Sequence, residues 1–253
     1  MRGSHDGLKC PLPRPSPRHE PYFVLLGADC RQQSGPPAMS EPSQSVTSRL
    51  NEVLAAVGLD PLDRETATRF AAYCALLLRW NVRTNLTAIR DEESVISRHF
   101  VQSIACARAL PPGIATLLDF GSGAGFPGIP IALCRPEIAV ILAESQGKKA
   151  AFLQEAVRTL GLPAKVHSSR AESLASRFDC VTLRAVDRMP QAIQAATNLL
   201  APGGRLALMT TEGQLKSLKA ALVAPLAWLE VIPLPGSDSQ LLAFAQPGVD
   251  LRA

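Results

Sequence analysis

Long apolar runs are missing from this sequence. The longest, such as Ala71 to Leu78, fall far short of the roughly 18 residues that a membrane-spanning helix needs. A strong charge of one sign is missing too: 26 Lys and Arg stand against 22 Asp and Glu in 253 residues, a formal net charge of +4. Aromatic residues are scarce at 5%, which excludes the stacking platform by which single-strand binders hold bases. No C-x-x-C pair occurs among the six cysteines. Cys74, Cys106, Cys134 and Cys180 stand singly inside apolar stretches, whereas metal sites and disulfide frameworks need clustered ligands. These four read as reduced core residues in an intracellular protein. What remains is 47% apolar and 19% charged, the balance of a soluble globular chain rather than a disordered one. The length allows one or two domains with a full core.

Residues 1–38 are different, holding seven of the 21 prolines, with Pro11, Pro13, Pro15 and Pro17 at alternate positions. Proline at that density removes backbone donors and forbids helix, so an extended, disordered tail is expected. Phe23 to Leu26 is too short for a signal-peptide core, and Asp29 beside Cys30 opposes a lipoprotein cleavage site. The folded part is expected to start near Met39. Within it, residues 64–108 and 148–219 are moderately basic, which suits either a phosphate-facing surface or an ordinary solvated one.

Residues 39–112 read as helical. Leu50, Val53, Leu54 and Val57 recur at helical spacing up to Gly58, a C-cap candidate. Asp63 is placed to cap a second helix with Phe70, Tyr73, Cys74, Leu77 and Trp80 along one face. A third begins near Asp91, with Glu92 and Glu93 at its positive end, and stops before Pro111 and Pro112. From residue 113 to 248 the pattern changes to short apolar strands alternating with helices. Thr116–Phe120, Val140–Ala143, Ala164–His167, Cys180–Ala185 and Arg205–Thr210 read as strands, and Lys148–Leu160 and Met189–Leu200 as helices. Pro202, Gly203 and Gly204 punctuate the end of the second of these helices. That alternation predicts βαβ units in a parallel sheet covered on both faces. Trp228–Ile232 and Gln240–Phe244, joined by a Pro/Gly loop, predict an antiparallel hairpin at one sheet edge.

The chemistry is expected where the first strand ends, at Asp119-Phe120-Gly121-Ser122-Gly123-Ala124-Gly125-Phe126-Pro127-Gly128. Glycines at 121, 123 and 125 let the backbone turn tightly and lie against a ligand. Gly123, Gly125 and Gly128 match G-x-G-x-x-G, the dinucleotide fingerprint, so an NAD(P)-binding oxidoreductase is one reading. An Asp with one residue between it and G-x-G-x-G is instead the pattern of S-adenosylmethionine binding. Asp119 would hold the methionine ammonium, directly or through water, and Glu144, ending the next strand, would accept from both ribose hydroxyls. The oxidoreductase reading leaves Asp119 and the Phe-Pro-Gly-Ile-Pro continuation unexplained.

Further motifs join this loop. Trp80-Asn81, Asn85-Leu86-Thr87-Ala88-Ile89 and Arg98-His99-Phe100 precede it; Glu144-Ser145, Gly147-Lys148-Lys149, Phe152-Leu153, Arg170-Ala171-Glu172 and Arg184-Ala185 follow. Together, from about Leu50 to Phe244, the chain resembles the ribosomal RNA small subunit methyltransferase G family, also called glucose-inhibited division protein B. The resemblance implies an α/β class I S-adenosylmethionine-dependent methyltransferase: a doubly wound, mostly parallel seven-stranded sheet at 113–248 with a small helical N-terminal region. It implies methylation of guanine N7 in 16S rRNA of the small ribosomal subunit, at a guanine of the 527 type. A cytoplasmic monomer without membrane partners goes with it. By the same analogy Gly121, Phe126, Ala171, Glu172 and Arg184 contact the cofactor. Ala171 and Glu172 would flank the adenine, and Arg184 would lie near the methyl-transfer end, contacting RNA phosphate or guanine O6. Two positions depart from the family, which usually has Asp at Gln102 and commonly Asp at Glu144.

Other substrates stay open at this level: another RNA, or a small molecule under an apolar lid. Asn81, Asn85, Thr87, Arg90 and His99 either touch the RNA or cap helices and fix a turn. Lys148 and Lys149 are either solvated or phosphate-binding.

Overall fold

A computed structural model describes residues 44–221 and 226–248, so the proline-rich segment 1–38 lies outside the described residues. The helical part comprises α1 (Gln44–Ala56), α2 (Arg64–Thr84), α3 (Glu92–Ser94) and α4 (Val101–Ala109), with a π-helical stretch, Val95–Phe100, linking the last two. Asp63 starts α2 as the sequence predicts: its carboxylate accepts from the Thr66 amide at 2.9 Å and the Thr66 hydroxyl at 2.7 Å. Asn85 ends it in the left-handed region, φ 48°. Phe70, Tyr73, Cys74 and Leu77 are buried along its inner face. Asp91 caps α3 through the Ser94 amide at 2.8 Å. Where apolar spacing suggests one regular helix from Asp91 onward, the chain instead widens at Val95–Phe100. Wider turns of this kind recur at functional sites.

Seven strands follow: β1 (Thr116–Phe120), β2 (Ala139–Ala143), β3 (Lys165–His167), β4 (Phe178–Arg184), β5 (Leu200–Thr211), β6 (Leu226–Pro233) and β7 (Gln240–Pro247). Their order is β3-β2-β1-β4-β5-β7-β6. Neighbours from β3 to β5 pair in parallel; β7 runs antiparallel to both β5 and β6. The doubly wound, mostly parallel seven-stranded sheet and its edge hairpin are therefore as expected. Helices α5 (Gly128–Cys134), α6 (Gly147–Thr159), α7 (Met189–Asn198) and α8 (Glu212–Ala221) connect the strands.

Alternate side chains of each strand feed different cores. Leu117, Leu142, Cys180 and Met209 join α1, α2, α4, α5 and α6 on one face. Leu118, Ala143, Val181 and Leu208 join α7 and α8 on the other. The helical region thus closes the first face together with α5 and α6. Among the described residues, no helix is long and apolar enough to cross a membrane. Cys74, Cys106 and Cys180 are buried free thiols, and Cys134 is half-buried.

One expectation needs correcting, and one helix was missed. Pro202-Gly203-Gly204 does not end a helix but lies inside β5, which starts at Leu200, where the register with β4 shifts between Phe178 and Cys180. Gly204 makes that passage: a Cβ there would stand 2.8 Å from the Phe178 carbonyl oxygen. Helix α8 also went unread from the sequence.

The chain leaves β1 toward β2 and β3, then returns to place β4 on the other flank of β1. In open α/β sheets, ligands bind at this switch in direction, beyond the carboxyl ends of the strands.

Candidate active site

A cavity of about 760 Å³ opens there, lined by the ends of β1, β2 and β4 and by residues 86–87 and 99 of the helical region. Its size falls in the range of small-molecule pockets, about 300–1,000 Å³. Gly121, Gly123, Phe126, Glu144, Ala171, Glu172 and Arg184 all line it, so seven of the sequence-predicted site residues converge.

Asp119 and Gly125 do not line it. Asp119 is buried beneath the glycine loop, its Oδ1 accepting from the Thr182 hydroxyl at 2.8 Å and its Oδ2 from the Gly128 amide at 3.2 Å. Burial pushes its carboxyl up to about 6 against the hydrogen bonds that favour the charge. In this arrangement Asp119 reaches the loop's underside, not the cavity. Gly125 is likewise structural: a Cβ there would stand 2.8 Å from the Tyr73 hydroxyl and 2.5 Å from Ile129 Cδ1. Its φ of 92° belongs to the region that favours glycine. The loop is clamped from below as well, since the buried Tyr73 hydroxyl of α2 donates to the Ala124 carbonyl at 2.5 Å.

Glu144, on the opposite wall, is 6% exposed, and its two oxygens accept from the Gly123 amide at 3.0 Å and the Gln146 amide at 2.7 Å. Each carboxylate oxygen accepts more than one hydrogen bond, so both stay competent toward ligand hydroxyls. Ala171 and Glu172 form a short 3₁₀ turn along the rim, Ala171 buried and Glu172 exposed.

Arg184 ends β4 and reaches into the helical region. Its Nη2 donates to the Arg98 carbonyl at 3.0 Å, to Gln102 Oε1 at 3.0 Å and to His99 Nδ1 at 3.2 Å; Nη1 donates to Ser103 Oγ at 3.3 Å. A guanidinium only donates, so His99 Nδ1 is the acceptor and its proton sits on Nε2. Nε2–H then donates to Thr87 Oγ1 at 2.9 Å, which also accepts from the Ile89 amide at 3.2 Å. With both lone pairs engaged, the Thr87 hydroxyl has only its proton left to offer, and that proton finds no acceptor among the described residues. Thr87 lines the cavity. His99 stacks on Phe126 at 4.5 Å, and burial, followed by the charges of Arg184 and Arg98, holds its pKa down to about 3. It is a neutral spacer and cannot serve as a base near neutral pH.

The polar cluster whose role the sequence leaves undecided divides cleanly. Asn81 is buried and structural, donating to the Thr87 and Ile89 carbonyls and accepting from the Thr87 amide. Asn85 caps α2 and receives Arg90 at 3.0 Å. Thr87 and His99 face the cavity. Lys149, Arg170 and Arg188 also line it. Of these, Arg188 was missed by sequence reasoning, its only local signal being its closeness to Arg184-Ala185.

A family model described as GidB, rRNA small subunit methyltransferase G, matches residues 66–226. The Stenotrophomonas maltophilia (strain K279a) protein named ribosomal RNA small subunit methyltransferase G is 45% identical over 168 residues, covering 65% of this chain and 77% of that one. The chain belongs to this family. A relative of the same name from Xanthomonas campestris pv. campestris (strain 8004) is 40% identical over 186 residues, covering 71% of this chain and 85% of that one. The crystal structure of TrmN from Thermus thermophilus is 23% identical with a TM-score of 0.48, over 66% of this chain and 52% of that one.

Membership in the rRNA small subunit methyltransferase G family decides between the two readings of the glycine loop. The protein is an S-adenosylmethionine-dependent methyltransferase of the class I fold, and the dinucleotide fingerprint is incidental. Gly128, the last glycine of that fingerprint, packs against Asp119 away from the cavity. The residues lining the cavity suit S-adenosylmethionine: a glycine turn, a carboxylate at Glu144 able to accept from hydroxyls, and a half-apolar turn at Ala171 and Glu172.

Proposed function

We propose that the enzyme methylates N7 of a guanine in 16S rRNA, of the 527 type, in the small ribosomal subunit, as a cytoplasmic monomer. Family membership supports the substrate; the convergence of the cofactor loop with Arg184 and Thr87 in one cavity is the structural observation that carries the reading. When bound, S-adenosylmethionine supplies an electrophilic methyl on a sulfonium sulfur. Guanine N7 has a lone pair and no proton, so it needs no base, in keeping with the neutral, doubly engaged His99. The protein's work is then to align the reactants, about 3–3.5 Å apart, and exclude water.

In this reading Gly121, Gly123, Phe126, Glu144, Ala171 and Glu172 hold the cofactor. Asp119 and Gly125 act from beneath by fixing the loop that touches it. Arg184 and Thr87 face the base, each presenting a donor suited to guanine O6. The helices described between residues 44 and 109 face the RNA in this reading, and the described residues from 114 to 248 make up the methyltransferase domain.

The test is methyl transfer from labelled S-adenosylmethionine to unmethylated small subunits and, separately, to protein-free 16S rRNA, with nucleosides identified by mass spectrometry. One 7-methylguanosine per subunit is expected. Tight cofactor binding without RNA methylation would overturn the substrate.

A further inference from the structure

A second cavity, of about 390 Å³, lies across the Arg184–His99 pair from the first and shares both residues with it. Arg98 and Gln102 of the helical region, Ser237 and Ser239 of the β6–β7 loop and Gln240 at the start of β7 complete its polar lining. Two guanidinium groups face this space, and no carboxylate lines it; Asp238, between the two serines, is exposed outside it.

The Arg184 charge has no direct partner of opposite sign, the buried Asp119 acting on it only through space. Its four acceptors, the Arg98 carbonyl, Ser103 Oγ, His99 Nδ1 and Gln102 Oε1, are all neutral, and among the described residues it forms no ion pair. A carboxylate at position 102 would have neutralised it; glutamine satisfies the geometry and leaves the charge. A partly desolvated cation with no carboxylate in direct contact favours an anion entering beside it. Arg98 adds a second positive charge, and its exposed side chain makes no hydrogen bond or ion pair among the described residues. Ser237 Oγ accepts from the Ser239 amide at 3.4 Å, which leaves its hydroxyl proton for a ligand. The free fork of Arg98, the charge of Arg184 and the serine hydroxyls suit a phosphate.

We propose that the smaller cavity is a phosphate subsite, taking a backbone phosphodiester of the RNA strand whose guanine enters the larger cavity; this rests on the rRNA reading above. Arg184 then stands between the two, bound to the base on one side and to the strand on the other. A phosphate contact positions the strand without reading its sequence.

The experiment compares the full-length wild type with Arg98→Ala and Ser239→Glu, both at exposed positions. Equilibrium binding to unmethylated small subunits is measured across a salt series, alongside methylation kinetics and S-adenosylmethionine affinity. Arg98→Ala is expected to reduce the salt slope of RNA binding by about one, as loss of a single phosphate contact does. Ser239→Glu is expected to weaken RNA binding and raise KM for RNA by about tenfold, equivalent to about 1.4 kcal/mol. Maximal turnover and cofactor affinity are expected to stay unchanged. RNA binding indifferent to both substitutions would overturn the subsite. So would a loss confined to S-adenosylmethionine affinity, which would assign the cavity to the cofactor's carboxylate. Failure of the wild type to transfer methyl, with RNA binding still dependent on Arg98, would overturn the methylation reading and leave the subsite standing.

Discussion

Thr87 shows how one hydroxyl becomes committed by counting its hydrogen bonds. His99 Nε2–H and the Ile89 amide occupy its lone pairs, and the tautomer that makes this so is imposed by Arg184 through Nδ1. Its remaining proton is offered to the cavity. Thr87→Val removes that donor and also strands two protein donors, whereas Thr87→Ser keeps all three bonds in place. The valine variant is expected to lose about tenfold in kcat/KM for RNA, the factor that about 1.4 kcal/mol represents, with cofactor affinity unchanged and the serine variant near wild type. A valine variant that loses cofactor affinity as well would reduce Thr87 to a structural support for His99.

Helix α2, the π-helical stretch and the glycine loop behave as one assembly. Tyr73 stacks on Phe100 at 5.4 Å and meets Phe126 at 5.4 Å, Phe126 stacks under His99, and the Tyr73 hydroxyl holds the Ala124 carbonyl. Tyr73→Phe keeps the rings and deletes only that bond to a buried carbonyl, which is expected to cost about 1 kcal/mol of stability. Ala124 lies between the cavity-lining Gly123 and Phe126, so S-adenosylmethionine affinity is expected to fall about fivefold, the factor matching that energy. Urea unfolding and calorimetric titration check both; full affinity in a destabilised variant would confine the bond to helix packing. Periodicity in the sequence places Tyr73 on the buried face of α2, and there it is. Its hydroxyl partner, 51 residues away, leaves no trace in that pattern. The same holds for Arg184, whose acceptors lie 81 to 86 residues earlier, and for the widening at Val95–Phe100, which has no propensity signature. The carboxyl ends of β1, β2 and β3 and the glycine loop were legible because local turn chemistry sets them, whereas the start of β5 was not. The depth of Asp119 was not, because its position before the loop is the same whether its carboxylate faces the ligand or the core.

At the scale of the molecule, the site holds two titratable groups with opposite leanings, one buried and one half-buried. Burial raises Asp119 from 3.8 to about 6, and burial with two nearby guanidinium groups lowers His99 from 6.5 to about 3. Between pH 3.8 and 6 the folded protein holds more protons at Asp119 than the unfolded chain does. This group's contribution to stability therefore falls as pH rises through that window. Between pH 3 and 6.5 the unfolded chain holds more protons at His99, so that contribution rises with pH and is complete above 6.5. The two slopes oppose each other over the same window, and single substitutions separate them. Asp119→Asn removes the falling component, so its stability relative to wild type is expected to improve as pH rises from about 4 to about 6. His99→Asn keeps an acceptor for Arg184 but removes the rising component. Its deficit relative to wild type is expected to be largest above pH 6.5 and to shrink as the solution is acidified. Urea midpoints taken across pH 4 to 8 on the three proteins check this. Deficits that run parallel with pH would mean that the carboxyl and the imidazole do not titrate in the folded protein as their burial dictates.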